Sequence, residues 1–178
     1  PDVLYLEDQD GDGRADIRKV LLTGFSRSNP QHNMNSPTFA LDNWVYLAHE
    51  GAIQTKTFEK EFGGSGRKIQ VFSEAGKLMQ TLPQNASNRS VRFRPKSGEA
   101  EILSARAQFG LSFDNWGHLF TNNNFNHLYH TVIDSRYLNG KTDLPTGSCQ
   151  HYLPDYGPGV EIYPITLKPE HQILTDRG

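Results

Sequence analysis

Short alternating runs of apolar and polar residues, separated by turn residues, constrain the fold of this chain more than any other feature. Gly (16), Pro (10), Asn and Asp fall between the runs at short intervals. Period-two runs bounded by such residues predict β-strands. The best helical candidate, KTFEKEF (56–62), is short. The predicted strands are VLYLE (3–7), RKVLL (18–22), WVYLA (44–48), KIQVF (68–72), SVRFR (90–94), AEILS (100–104) and HLFTN (118–122).

Two kinds of unit repeat along the chain. TFALDNWVYL (38–47) and GLSFDNWGHL (110–119) share an apolar–small–apolar start, then Asp-Asn-Trp, then a strand; we call them the DNW units. KIQVFSEAGKLMQTL (68–82) and SVRFRPKSGEAEIL (90–103) each predict a hairpin, with Gly in the turn where a positive φ is needed. The equivalent tryptophans, Trp44 and Trp116, are predicted to lie in the core between neighbouring sheets.

Hairpins that alternate with DNW units are typical of four-stranded antiparallel blades, and therefore of a β-propeller. A blade takes roughly 40–70 residues once loops are inserted, so the chain is expected to hold about three blades. A closed ring needs at least about four. The fold class predicted for residues 1–178 is therefore all-β, a partial propeller, with the remaining blades on the same or another chain.

The run DQDGDGRAD (8–16) is the densest group of carboxylates. An EF-hand needs Glu at its twelfth position and helices on both sides, but this position is Lys19 and the flanks resemble strands. The spacing fits a shorter Ca²⁺ loop that closes a β-hairpin. Hard oxygen ligands suit Ca²⁺, and the alternative is a solvated acidic turn without an ion. The expected ligands are the carboxylates of Asp8, Asp10, Asp12 and Asp16 and the carbonyl of Arg14.

Charge and composition exclude several functions. The formal net charge of −2 gives no broad electrostatic case for nucleic-acid binding. No stretch of about 18 apolar residues predicts a membrane span. Cys149 is the one cysteine, which excludes an internal disulfide and a CxxC zinc site.

Three segments together resemble a bacterial family: LEDQDGDGRADIRKVLLTGF, NPQHNMNSPTFALDNWVYLAHEG and VRFRPKSGEAEILSARAQFGLSFDNWGHLFTNNNFNHLYH. The chain resembles the propeller of the large secreted or membrane-attached dehydrogenases of planctomycetes and related bacteria. That propeller is similar to the soluble quinoprotein (PQQ-dependent) glucose and sorbosone dehydrogenases. The resemblance implies a periplasmic or extracellular protein, a sugar or alcohol substrate, PQQ as cofactor and a haem domain as electron acceptor.

A quinone-dependent dehydrogenase needs a base for the hydroxyl proton, and His32, in the loop before the first DNW unit, is the candidate. The alternative is a loop histidine bonded to backbone. Arg106 and Gln108 precede the second DNW unit and are expected to face the same channel, where Arg106 would contact a cofactor carboxylate. The alternative for Arg106 is a salt bridge at a strand edge.

The segment NNNFNHLYH (122–130) combines asparagines with two histidines. A metal site shared by His127 and His130 would need further ligands, and the segment contains no carboxylate or thiol to supply them. A polar channel-lining loop is the favoured interpretation, and Asn123 and His127 are its candidate cofactor-binding residues.

Two functions of different class follow from these residues. The first is part of a quinoprotein-like sugar or alcohol dehydrogenase with a structural calcium site. The alternative is a non-catalytic, calcium-stabilised propeller that binds carbohydrate or protein.

Overall fold

Twelve β-strands make up most of the regular structure. A computed structural model describes residues 1–26, 32–50, 68–83, 89–124, 126–138 and 149–153. One 3₁₀ helix, Ser135–Tyr137, lies among them. The strands are β1 (Val3–Glu7), β2 (Ile17–Thr23), β3 (Asn35–Phe39), β4 (Val45–Ala48), β5 (Gln70–Phe72), β6 (Leu78–Thr81), β7 (Val91–Arg94), β8 (Glu99–Ile102), β9 (Leu111–Phe113), β10 (Leu119–Thr121), β11 (Tyr129–Thr131) and β12 (Gln150–Tyr152).

The described part of the chain contains no helix with the length and apolar character needed to cross a membrane. The expected helical segment 56–62 lies outside the described residues.

The strands form three four-stranded antiparallel sheets. Sheet A has the order β1-β2-β5-β6, sheet B the order β3-β4-β7-β8, and sheet C the order β12-β11-β10-β9. The predicted all-β class is confirmed, and the three sheets are consistent with blades of a partial propeller. The chain builds half of sheet A, then half of sheet B, and returns to complete each in turn.

The aspartate of each DNW unit shapes the turn of its hairpin. The backbone N–H of Trp44 donates to Asp42 Oδ1 at 3.3 Å, and that of Trp116 donates to Asp114 Oδ1 at 3.0 Å. A side chain that bonds the backbone two residues ahead favours a turn, which explains the Asp in both units.

The two DNW hairpins nevertheless close at different places, and this corrects the prediction for Trp116. The first closes where Ala40 N–H bonds the Trp44 carbonyl, whereas the second closes where Asp114 N–H bonds the His118 carbonyl. The second turn is thus displaced by two residues relative to the sequence repeat. Trp44 is 6% exposed in the core, but Trp116 lies at the tip of its turn and is 81% exposed.

Two apolar cores hold the sheets together, one on each face of sheet B. Leu47 and Val91 pack toward sheet A, while Tyr46, on the opposite face, packs toward sheet C. The A–B core consists of Leu21, Leu22, Phe25, Leu47, Ile69, Val71, Leu82, Val91, Phe93 and Ala100, and the B–C core of Ala40, Trp44, Tyr46, Leu103, Ala105 and Leu119.

Arg92 is a charged residue inside the second core, at 6% exposure. Its Nη2 donates to Glu101 Oε2 at 2.6 Å, and its Nη1 donates to the Tyr46 hydroxyl at 2.8 Å and to Asp42 Oδ2 at 3.1 Å. The guanidinium lies 4.7 Å from the Trp44 ring centroid. Burial raises the pKa of Tyr46 to about 12, so this hydroxyl keeps its proton and stays a donor to Asp42. The buried charge is therefore fully paired, as such groups must be.

We predict that Gly24→Ala destabilises the chain by about 2–3 kcal/mol, since a left-handed backbone and a steric clash act together. Gly24 has φ +100°, and a Cβ there would lie 2.5 Å from the Lys68 carbonyl oxygen. Gly76→Ala is the matched control: its φ is +76° but nothing lies within 4 Å, so a cost of about 1 kcal/mol is expected. Urea unfolding measures both, and equal costs would contradict the clash.

Candidate functional site

The candidate site lies at the open ends of the two DNW hairpins, opposite their turns. Asn35 pairs with Ala48 at the open end of β3–β4, and Leu111 pairs with Thr121 at the open end of β9–β10. His32 precedes β3 and Glu50 follows β4, so antiparallel pairing brings both to one end of sheet B. Arg106 and Gln108 precede β9 at the corresponding end of sheet C.

A buried carboxylate connects the two sheets. Glu50, 6% exposed, accepts from His32 Nδ1 through Oε2 and from Arg106 Nη2 through Oε1. The Arg106 side chain is 53% exposed. The buried negative charge is thus balanced by a guanidinium that also reaches solvent.

Gln108 holds its side-chain amide against the His32 ring. Asn124 N–H donates to Gln108 Oε1 at 2.9 Å, which turns the Gln108 amide nitrogen toward the ring. That nitrogen lies 3.0 Å from His32 Nδ1 and 3.2 Å from Nε2. The imidazole is therefore held between the Glu50 carboxylate and the Gln108 amide.

Further hydrogen bonds hold the Gln108 segment in place. Asn35 Nδ2 donates to the Gln108 carbonyl at 2.9 Å. Gln150 bonds the backbone of Arg106 on both sides: its Oε1 accepts from the N–H at 3.0 Å and its Nε2 donates to the carbonyl at 3.3 Å. Gln108 itself is 4% exposed. The amide that faces His32 is rigidly positioned.

This arrangement gives the site two chemical capacities. A histidine whose Nδ1 is bound to a carboxylate can take a proton at Nε2, and the carboxylate then stabilises the imidazolium. An exposed guanidinium can contact an anionic oxygen. In the structure the Gln108 amide lies within hydrogen-bond distance of the ring nitrogens, so a ligand that bonds Nε2 must displace it.

The acidic loop joins β1 to β2, as the hairpin prediction required. Oxygen atoms of Asp8, Asp10 and Asp16 lie within 4.8 Å of one another, and all three residues are exposed. Asp12 is outside this group; its Oδ1 accepts from Arg14 N–H at 2.7 Å. The structure therefore brings three of the four predicted carboxylates together.

Backbone amides organise the loop around Asp8. Its two carboxylate oxygens accept from Gly13 N–H and Gly11 N–H, each at 2.8 Å. These two bonds hold the pKa of Asp8 below its usual range. Asp16 closes the loop by accepting from Gln9 N–H at 2.8 Å.

Comparison with known families places the chain in a family but assigns it no activity. A family model described as "Domain of unknown function (DUF7133)" matches residues 1–176. The chain belongs to the DUF7133 family. No curated protein matches it, and no solved structure does.

In this DUF7133 chain the structure brings His32, Arg106 and Gln108 into one cluster around Glu50. Asn123 lies in the turn after β10, where its Oδ1 accepts from Asn126 N–H at 2.8 Å. His127 is exposed, two residues before β11. The backbone N–H that donates to the Gln108 side chain is that of Asn124 and not that of Asn123.

Sequence reasoning missed Glu50 and Gln150. Glu50 comes two residues after the apolar strand β4, and a carboxylate in that position is a weak signal, because most such residues face solvent. Its burial depends on the packing of sheet C. Gln150 comes from the opposite edge of sheet C, and no local pattern connects it to Arg106.

Two open grooves lie away from this cluster. One, of about 620 Å³, is lined by charged residues of sheet B around Arg92 and Arg94. The other, of about 550 Å³, lies on sheet A near Lys19 and Phe72. Neither is lined by His32, Arg106 or Gln108.

We predict that Asp8→Asn removes part of the acid sensitivity of the DUF7133 chain. Since the folded-state pKa of Asp8 lies below the usual 3.8, its stabilising contribution is present above that value and is lost as the pH falls through the folded pKa. In metal-free buffer the wild type should exceed the variant in unfolding free energy at pH 7, and the difference should shrink toward pH 3. Urea titrations at several pH values measure it, and a constant difference would contradict the assignment.

Proposed function

We propose that this chain is part of a secreted, quinoprotein-like propeller that oxidises a sugar or alcohol, with His32 as the general base. The observation that carries the proposal is the line of hydrogen bonds from Glu50 through His32 to Gln108. A carboxylate on Nδ1 both orients an imidazole and raises its capacity to accept a proton at Nε2.

Four side chains of this chain have separate roles in the proposed proton transfer. The substrate hydroxyl takes the place of the Gln108 amide and donates its proton to His32 Nε2. Glu50 stabilises the imidazolium that forms, and Arg106 pairs with the other oxygen of Glu50. Gln108, freed from Nε2, can hydrogen-bond a neighbouring hydroxyl of a polyol.

A planar quinone with carboxylates, such as PQQ, fits the exposed side of this cluster. Arg106 has a half-exposed guanidinium for one carboxylate, and Asn123 and His127 are the additional cofactor-binding residues proposed from the segment 122–130. Such a cofactor, when bound, supplies the acceptor for the substrate hydride. Further cations for its other carboxylates would come from other blades of the ring.

The second candidate function is a non-catalytic binding propeller. It is favoured by one observation: Gln108 is buried and its amide occupies His32 Nε2. In that case the cluster joins sheets B and C and does no chemistry.

We predict that the calcium-loaded protein takes up PQQ with a change in absorbance and oxidises sugars, and that His32→Ala lowers turnover by roughly 10²–10⁴-fold. Glu50→Gln should lower turnover as well, because the imidazolium loses the carboxylate that stabilises it. Lys77→Ala, in the exposed β5–β6 turn, is the control and should keep full turnover.

The outcomes separate the two functions. No PQQ uptake by the calcium-loaded protein, together with a large loss of thermal stability in His32→Ala, would support the joining role and remove the enzyme proposal. Normal PQQ uptake with unchanged turnover in His32→Ala would remove His32 as the base.

We further propose that the loop 8–16 binds Ca²⁺ as a structural ion. Ca²⁺–oxygen distances of about 2.3–2.6 Å allow two ligands of one ion to lie up to about 5 Å apart, and the carboxylate oxygens of Asp8, Asp10 and Asp16 meet this limit. Asp12 and the Arg14 carbonyl are the additional ligands proposed from the spacing. The position in a hairpin turn favours a structural role.

We predict that Ca²⁺ raises the melting temperature and that EDTA reverses the effect. Binding to the folded state stabilises by roughly 2.7 kcal/mol at a hundredfold excess over Kd. Asp10→Ala should abolish the calcium response, whereas Asp2→Ala, an acidic residue outside the loop, should keep it. A melting temperature indifferent to both Ca²⁺ and EDTA would count against the site.

A further inference from the structure

Three histidines lie on the outer face of sheet C, away from sheet B. Phe120 pairs with His130, and His130 pairs with His151, so these side chains share one face. His118, two residues before Phe120, points to the same face, as does Asp114 opposite it in the hairpin. The inward face of the sheet carries Leu119, which belongs to the B–C core.

His118 is oriented by a carboxylate. Its Nδ1 lies 2.7 Å from Asp114 Oδ2, and Asp114 is itself held by the backbone N–H groups of Trp116 and His118. Histidines that bind metals are commonly held by a carboxylate in this way.

His130 offers a second nitrogen close by. Its ring centroid lies 5.2 Å from that of His118, with an interplanar angle of 80°, and its other side stacks on Phe120. Its Nε2 is buried and has no hydrogen-bond partner. Two imidazoles on one tetrahedral ion, with metal–nitrogen bonds of about 2.0–2.1 Å, place their ring centres about 5 Å apart.

The side chains on this face of sheet C differ from the equivalent side chains of sheet B in having no arginine beside them in the register. There, Asp42 and the Tyr46 hydroxyl bind the guanidinium of Arg92, the residue opposite Tyr46 on the next strand. Asp114 and His118 are the sequence equivalents of Asp42 and Tyr46. Continuing the β10–β11 register places Val132 opposite His118, so no guanidinium fills the corresponding position.

We propose that His118, His130 and His151 bind a divalent transition metal ion, Zn²⁺ in particular, with Asp114 orienting His118. Imidazole nitrogens suit this class of ion, and the ion would supply the positive charge that Arg92 supplies in sheet B. His118 and His130 are already adjacent. His151 must rotate, because among the described residues only the acidic loop brings three ligand atoms within 4.8 Å; its side chain is exposed.

The test is calorimetric titration of the 178-residue chain with Zn²⁺, in saturating Ca²⁺ so that the acidic loop does not compete. One equivalent of Zn²⁺ should bind. His118→Ala and His130→Ala should each weaken binding by at least about 10-fold, and Asp114→Asn by about 10-fold, as is usual for residues that orient a ligand. Lys77→Ala, an exposed residue in the β5–β6 turn of sheet A, is the control and should bind Zn²⁺ as the wild type does.

Circular dichroism on each variant separates loss of ligands from loss of fold. Because His118 is exposed, its alanine variant is expected to fold as the wild type does. If no equivalent binds, or if His118→Ala and His130→Ala bind Zn²⁺ as tightly as the wild type, the proposal is wrong and the two rings form a packing contact only. His151→Ala without effect would overturn its place as third ligand.

Discussion

The covering of sheet B on both faces is the constraint on which the rest of the structure depends. Because sheet A packs on one face and sheet C on the other, the central strands β4 and β7 are buried along most of their length. The DNW hairpins of sheets B and C thereby lie side by side, and their open ends meet. His32 and Gln108, far apart in sequence, come into contact for this reason.

Ionic groups fix the interface between sheets B and C at both of its ends. At the turn end, Arg92 bonds Glu101 and Asp42 and lies 4.0 Å from Asp134, which follows the strands of sheet C. At the open end, Glu50 of sheet B bonds Arg106 of sheet C. Each of these buried charges would destabilise the fold if left alone, so their pairing selects one relative placement of the two sheets. The candidate site is thus a consequence of how the interface is closed.

Period-two alternation and turn residues act locally, so sequence patterns predicted most of the strands. They did not predict β11 and β12, and β11 begins inside the segment 122–130 that was expected to be a loop. Even so, the repeat implied equal environments for Trp44 and Trp116, and a two-residue displacement of the second turn made them opposite. The three loop residues of the site were predictable because the DNW repeat gives their loops equivalent positions. Glu50 was not predictable, since its burial arises only when a second sheet packs against the first. Contacts between two sheets leave no periodic pattern in the sequence of either sheet.

The hydrogen bond between Gln108 and His32 sets a free-energy cost for any ligand that binds to the His32 ring. A neutral hydrogen bond contributes about 0.5–1.5 kcal/mol net, and turning the amide away also breaks the bond from Asn124 N–H. The cost of exposing His32 Nε2 is therefore of the order of 1–3 kcal/mol. A substrate hydroxyl that replaces the amide at Nε2 recovers much of this cost, and general-base catalysis contributes about 10²–10⁴-fold, or roughly 3–5 kcal/mol. The closed arrangement is thus compatible with catalysis, and it would make Gln108 a barrier against ligands that cannot donate a hydrogen bond to histidine.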